Sequence, residues 1–327
     1  MFDYRVSYLV TTYNKLPYLQ QVLGRLVAAR QADEEIVVAD GGSTDGTPEY
    51  LRGLFEAGQI QQFVSERDKG ESHGFNKCMF MARGEVLKII TDDDAFDYPA
   101  IRAGAAFMRE HADVDVMMGY TGLLALEDLH SLSLYDDVAA NFRRWFDHQE
   151  PVWMIGLPML VRRSSLAVTG LFNTGVVQVD TEFTYRITSL NLNLAWSSQV
   201  LSVRIENPQS NFRVMGRQTS QDEADRMRYF YDKRIGHGFA DYVRHKSGWL
   251  EALKKPIRPL KRSLFDTLKV PQHQEHVPMP THYVPVPGEA PLAAAFRIAD
   301  EFMTRYNAGH PAEFLYKSRQ LTKALKK

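Results

Sequence analysis

The sequence predicts an α/β protein with a wound, mainly parallel sheet flanked by helices, followed by a helical C-terminal extension. Three observations carry this. Short β-branched apolar runs alternate with helical patterns over the first hundred residues, at the pitch of strand–helix–strand units. Four successive runs each end in polar or charged residues. Past residue 215 the apolar residues fall at helical spacing within charged, basic sequence.

In chain order, residues 6–10 form the first strand, and Thr11-Thr12-Tyr13-Asn14-Lys15 is the polar turn leaving it. Leu19, Val22, Leu23, Leu26 and Val27 then share one face of a helix. Residues 35–39 form a second strand ending at Asp40, and the turn from Gly41 to Pro48 enters a helix with a capping residue and an early proline. The third strand, residues 60–65, ends in Glu66-Arg67-Asp68-Lys69-Gly70. A helix over about 72–82 carries Cys78 in an apolar pattern, as core filler. The fourth strand, 85–90, stops at Thr91-Asp92-Asp93-Asp94.

Ligands bind beyond the carboxyl ends of strands in such sheets, so the four polar ends converge on one place. Three consecutive carboxylates cannot be buried unpaired. They form either an acidic turn capping the helix after Pro99, or a site for a hard divalent cation, which commonly bridges carboxylates to substrate phosphates.

Bulk properties narrow the function. The 327 residues suffice for one large or two medium domains. Thirty-nine basic and forty acidic side chains nearly cancel, which points to no nucleic-acid partner. A single cysteine excludes an internal disulfide framework and fits a reducing compartment. Met1-Phe2-Asp3-Tyr4-Arg5 lacks a signal-peptide pattern, and no apolar run reaches membrane-spanning length. The expectation is a cytoplasmic protein, free or peripheral on the inner face of the cell membrane.

The motifs Val10 to Asn14, Val38 to Thr47, Ser65 to Gly70 with Asn76-Lys77, and Gly84-Glu85 leading to the acidic cluster resemble family 2 glycosyltransferases of the GT-A fold. They come in the family's order and spacing over roughly residues 5–100, with a weaker match to about 215. The resemblance implies inverting transfer of a sugar from a nucleoside-diphosphate sugar, of uridine type, to a hydroxyl of a glycan or lipid-linked acceptor. Thr11, Tyr13 and Asp40 match positions that hold the base and ribose, with Thr12 and Asn14 in the same nucleotide-sugar site. A ring can stack on a base and a carboxylate can accept its imide hydrogen. Tyr13 could instead pack over the first helix, and Asp40 could serve only as a turn former. Asp68, Lys69 and Asn76 match the ribose and diphosphate side, where Lys69 either offsets phosphate charge or is simply solvated. His73 stands where the family often has a small acid.

By the same resemblance the acidic cluster is the metal-binding motif for Mn²⁺ or Mg²⁺. Counting from Gly84-Glu85 favours Asp92 and Asp93; counting back from Pro99 favours Asp92 and Asp94. One carboxylate ligates the ion and another contacts the ribose or donor sugar. Residues 153–159, Arg162-Arg163-Ser164 and Gly170-Leu171-Phe172 resemble the acceptor side, as a buried strand followed by a helix. Asp180 matches the catalytic base that takes the acceptor hydroxyl's proton; it also reads as a helix N-cap. Glu182 is the second candidate. Val179 stands where the family usually has the first of an acidic pair. Arg204 and Glu206 occupy the neighbourhood where relatives often carry a metal-joining histidine, so none is assigned.

The domains expected are a glycosyltransferase domain over 1–215 (donor half to about 100, acceptor half beyond), a helical basic amphipathic region over 216–270, a proline-rich linker or strap over 271–291, and a C-terminal helix over 292–327. Residues 218–247 read as a charged helix with Ala224, Met227, Phe230 and Tyr231 on one face. Residues 244–270 carry Lys254, Lys255, Lys261 and Arg262 among apolar residues that include Trp249. This segment suits either an anionic membrane surface or a helical pair packed on the domain. Phe296, Ile298, Phe302 and Phe314 are available for docking or for a homo-oligomer. Two rivals stand beside this reading. A methyltransferase would need a glycine-rich turn after the first strand, which Thr11 to Asn14 does not supply. A catalytically inactive glycan-binding or scaffold protein of the same fold is the other.

Overall fold

The computed structural model describes residues 3–206, 208, 217–232, 276–281, 284 and 286–317. Strands β1 (Tyr4–Thr12), β2 (Glu34–Asp40), β3 (Gln62–Ser65) and β4 (Gly84–Ile90) run parallel in the spatial order β4-β1-β2-β3. Helices α1 (Leu16–Ala29), α2 (Thr47–Glu56) and α3 (Glu71–Met81) make the crossovers. Thr12 lies opposite Asp40 and Asp40 opposite Ser65, while Val10 lies opposite Ile90. The four carboxyl ends therefore form one edge.

The strands read as continuous apolar runs because both faces are covered. Val6, Tyr8, Val10, Ile36, Val38, Val86 and Ile90 pack on one side with Leu19, Val22, Leu23 and Leu26 of α1. Leu9, Val37, Ala39, Leu87 and Ile89 pack on the other with Phe75, Cys78 and Met79 of α3. The entry to α2 differs from expectation: its N-cap is Gly46, in the left-handed region at φ 94°. Asp45 does the capping from one residue earlier. Its Oδ1 accepts from the Thr47 hydroxyl at 2.7 Å and its Oδ2 from the Leu16 amide at 2.9 Å, tying α1 and α2 together.

Beyond β4 come β5 (Ala95–Phe96), α4 (Tyr98–Glu110), β6 (Val116–Ala125), β7 (Asp128–Tyr135) and α5 (Asp136–His148). Then follow β8 (Leu160–Arg162), a 3-10 turn, α6 (Leu166–Thr169), α7 (Val179–Ser189) and β9 (Leu194–Glu206). β8 pairs antiparallel with β4 and β6, β7 antiparallel with β6, β6 parallel with β9, and β5 antiparallel with β9. The strand expected over 153–159 is not there: the chain is irregular until Leu160. Pro151 and Pro158 remove donors a ladder would need. The Thr188 and Thr184 hydroxyls of α7 instead accept from the Val152 and Met154 amides, at 3.1 and 2.9 Å.

In the C-terminal third, α8 (Arg217–Tyr231) packs on α7 through Ser220, Glu223 and Met227. Phe230 is 76% exposed, so it does not belong to the buried face expected for it; that stripe follows 220, 223 and 227 and passes beside it. The remainder of the 218–247 helix and the basic segment 244–270 lie outside the described residues. Within the proline-rich stretch, β10 (His276–Pro278) adds a strand to β7 at the sheet's edge, where proline is tolerated.

The last helix, α9 (Pro291–Gly309), stops well short of residue 327, with Pro311 following as a terminator. Phe314 is in a strand, not a helix: β11 (Phe314–Tyr316) pairs with β9, and its ring stacks on Phe107 at 4.1 Å. Phe296, Ile298 and Phe302 are buried in the same core as β1 and β4, so their docking is within the chain. Among the described residues no helix is long and apolar enough to cross a membrane.

Candidate active site

The acidic cluster begins two residues after buried Ile90, and its three carboxylates are only 5–8% exposed. They divide the work. Asp94 spends both oxygens inside the fold: Oδ2 accepts from the Thr91 hydroxyl and Oδ1 from the Ile205 amide of β9, each at 2.7 Å. Capping of α4 falls to Asp97, which accepts from the Ala100 amide at 2.7 Å, so the cluster is not the cap. Asp92 and Asp93 turn toward Lys15, whose Nζ lies 3.3 Å from Asp92 Oδ1 and 2.7 Å from Asp93 Oδ2. Sequence reasoning gives Lys15 no role, although it directly follows the Thr11–Asn14 turn.

Burial first, and the neighbouring Asp93 charge second, push Asp92 up to about 7, and the same two causes push Asp94 up to about 7. Burial opposes the Lys15 charge, but Asp92 and Asp93 outweigh it and raise the ammonium above its ordinary value. Among the described residues no three His, Cys, Asp or Glu side chains are grouped to hold a metal ion. Asp92 and Asp93 offer carboxylate oxygens only, a donor set suited to a hard divalent ion that takes its remaining oxygens from phosphate and water.

The donor-side residues separate into frame and lining. Asn14, at φ 52°, zips two turns together: its amide donates to the Ser43 hydroxyl and its Oδ1 accepts from the Thr44 amide, both at 2.8 Å. Asp40 is 0% exposed, and its carboxylate accepts from the Ser43 amide at 3.2 Å and from the Ser43 and Ser65 hydroxyls at 2.5 and 2.6 Å. These bonds hold the turn after β2 to β3. Gly42, at φ 84° with Arg67 N 3.1 Å from where a Cβ would stand, lets these turns close. Asn76 is likewise spent, donating to Phe172 O and accepting from Phe172 N at 2.9 Å each. That reciprocal pair joins α3 to the 170–172 segment.

Thr11 packs its methyl against Gly74, and the buried Thr12 hydroxyl adjoins Asp92. Tyr13 is 60% exposed and is not packed over α1. Asp68 borders Gly41 and Gly74 and accepts from the Gly70 amide at 2.8 Å. The Lys69 side chain is exposed, while its amide donates to His73 Nδ1 at 3.1 Å.

On the acceptor side Asp180 is the second residue of α7, whose N-cap is Gln178, so it is not the cap. Glu223 of α8 binds the amides just before the helix, Val177 and Gln178, at 2.8–3.2 Å. This leaves the Asp180 carboxylate to accept from the Gly156 amide at 3.0 Å and the Thr181 amide at 2.8 Å. Glu182, the second candidate base, is 4% exposed, ion-paired with Arg186 at 3.0 Å and bonded by the Tyr231 hydroxyl.

Two further residues escaped sequence reasoning. Glu71 opens α3, and burial, then the charges of Asp180, Asp93 and Asp92, push its carboxyl up to about 7. Asp180 and the acidic pair thus both lie near enough to act on this one carboxyl. Nothing in the sequence distinguishes Glu71 from the solvated Glu66. Lys88, fully buried in mid-strand, donates to Ile89 O at 2.8 Å and to Leu157 O, and stands 4.8 Å from the Phe96 ring centre. Burial holds its ammonium well below the usual lysine value. It ties β4 to the segment that presents Gly156. A lone lysine in an apolar run was the available signal.

Residues 7–163 match the family model described as Glycosyl transferase family 2. The chain is 28% identical over 93 residues to an uncharacterized glycosyltransferase of Nostoc sp., covering 28% of this chain and 29% of that protein. It is 28% identical over 116 residues to a PGL/p-HBAD biosynthesis glycosyltransferase of Mycobacterium bovis, covering 35% and 45%. It thus spans less than half the length of these curated relatives. Among solved structures, a mannosyltransferase of Pyrobaculum calidifontis in complex with GDP-Man and Mn²⁺ aligns with a TM-score of 0.51 at 18% identity, over 80% of this chain and 86% of that one. That likeness is one of fold, GT-A-type.

Proposed function

We propose, from the match of residues 7–163 to the model of glycosyl transferase family 2, that the chain transfers a sugar, with inversion, from a nucleoside-diphosphate sugar of uridine type to a hydroxyl of a glycan or lipid-linked acceptor. The observation that carries the reading is a set of acidic groups beyond the strand ends: Asp92 and Asp93 with the Lys15 ammonium between them, and Asp180 held by the Gly156 amide, all three near enough to act on Glu71. The exposed Tyr13 ring is available to stack on the base. Asp92 and Asp93 would hold Mn²⁺ or Mg²⁺, which when bound offsets the charge of the donor's two phosphates.

Asp180 takes the proton from the acceptor hydroxyl as that oxygen forms a bond to the anomeric carbon. The carbon's bond to the phosphate oxygen breaks on the opposite face, and its electron pair leaves with the nucleoside diphosphate. Two backbone amides aim the carboxylate without consuming a side chain. Asp180→Asn tests this. Donor affinity should stay near that of the wild type while release of nucleoside diphosphate from the donor in the presence of Mn²⁺ is lost. Retained turnover in the variant would end the assignment, and a wild-type protein that binds donor without ever turning it over would favour the glycan-binding reading.

A further inference from the structure

We propose that Lys15 is the resident counter-ion of the Asp92–Asp93 pair: it holds the cation position while the donor site is empty, and passes to the donor's diphosphate when a divalent ion takes the carboxylates. The inference rests on the donor reading above for its second half only.

The geometry is specific. The ammonium bridges both carboxylates, at 2.7 and 3.3 Å, and the side chain is only 15% exposed, unlike a lysine that merely decorates a surface. Its backbone is fixed, because Lys15 O accepts from the Tyr18 and Leu19 amides at 3.1 and 3.0 Å at the start of α1. Only the four-carbon stem is free to swing, from a turn that also presents Tyr13. Asp94 cannot compete for the ammonium, since both its oxygens are engaged by Thr91 and Ile205.

A divalent ion and an ammonium cannot share the same two carboxylates at these distances, because like charges that close repel strongly in a partly buried site. The entering ion must therefore displace Lys15, and the displaced charge needs a new partner. A diphosphate supplies it: lysine is a compact point charge that binds phosphate oxygens without a fixed fork geometry. Metal and nucleotide then assist each other's binding, and by linkage each raises the other's affinity by the same factor.

The test is a titration of Mn²⁺ followed by the electron paramagnetic resonance of the free ion, with and without UDP, on the wild type, Lys15→Gln and Lys15→Arg. Loss of the competing charge in Lys15→Gln should tighten nucleotide-free Mn²⁺ binding by about tenfold or more and shrink the enhancement produced by UDP. Lys15→Arg, which keeps the charge, should resemble the wild type. Equal or weaker Mn²⁺ binding by Lys15→Gln, or no Mn²⁺ binding by any of the three, overturns the proposal. Should Lys15→Gln fail to fold, the wild type alone decides: less than about a tenfold gain in Mn²⁺ affinity on adding UDP overturns it. Failure of UDP to bind the wild type at all would instead count against the donor reading, and the nucleotide-free comparison would still judge Lys15.

Discussion

Gly156→Ala is a single added methyl that should disable the base without touching the donor end. A Cβ at Gly156 would stand 2.8 Å from the Asp180 Cβ and 3.8 Å from its Oδ2. Carbon atoms ordinarily rest at about 3.5–4.0 Å, so about 0.7 Å or more of separation must be found. It has to come from the start of α7 or from the irregular segment before Leu160. Either movement disturbs the 3.0 Å bond from the Gly156 amide that aims the carboxylate. A misplacement approaching about 1 Å at a reacting group costs about a hundredfold in rate, so turnover should fall about ten- to a hundredfold. Donor affinity should hold, because Asp92, Asp93 and Lys15 lie on other elements. The assay pairs nucleoside-diphosphate release from a UDP-sugar with Mn²⁺ against calorimetric donor affinity. Wild-type turnover in this variant, or parallel loss of donor binding and turnover, would refute the idea that Gly156 acts through Asp180.

Two further outcomes follow from the same geometry. Asn76→Ala strands the buried Phe172 amide and carbonyl, each costing about 1–3 kcal/mol. Thermal melting should drop by several degrees with the affinity of UDP unchanged, whereas a weakened UDP affinity at an unaltered melting point would return Asn76 to the diphosphate side. Glu71 titrates at about 7 in the fold against an ordinary 4.5, so the folded chain keeps this proton longer than the unfolded chain. Its contribution to stability is therefore fully present below 4.5 and falls as pH rises from there through about 7. The interval is worth about 3 kcal/mol for a fully buried group and about 2 kcal/mol for this partly exposed one. Denaturant unfolding at about pH 5 and about pH 8 should show Glu71→Gln losing less stability across that span than the wild type. An identical loss in both would mean that Glu71 does not sense Asp180 and the acidic pair.

What could be read from the sequence was the periodicity and the place where it breaks. Strands buried on both faces print as apolar runs, and the residues that end them must be polar, so the four ends and the acidic cluster were legible. The roles within each end were not, because aspartate and asparagine serve equally to hold a turn and to meet a ligand. Asp40, Asn14 and Asn76 bond within the frame, while the Tyr13 ring is exposed. The C-terminal aromatics failed for a related reason: a helical stripe such as Phe296, Ile298 and Phe302 announces that it will be covered, but not by what.

The acidic cluster is the sharpest instance, because its three aspartates meet partners far along the chain. Counting from Gly84 or from Pro99 treats the three aspartates as interchangeable positions on a ruler. In the fold they are distinguished by what each faces: β9 reaches back to Asp94 through the Ile205 amide, and the β1–α1 turn reaches across to Asp92 and Asp93 through Lys15. Asp94 ties the β4 end to β9, while Asp92 and Asp93 share one ammonium. Local spacing does not encode these contacts, which is why Lys15, Glu71 and Lys88 all escaped it. Each owes its place to a neighbour that only the folded sheet supplies.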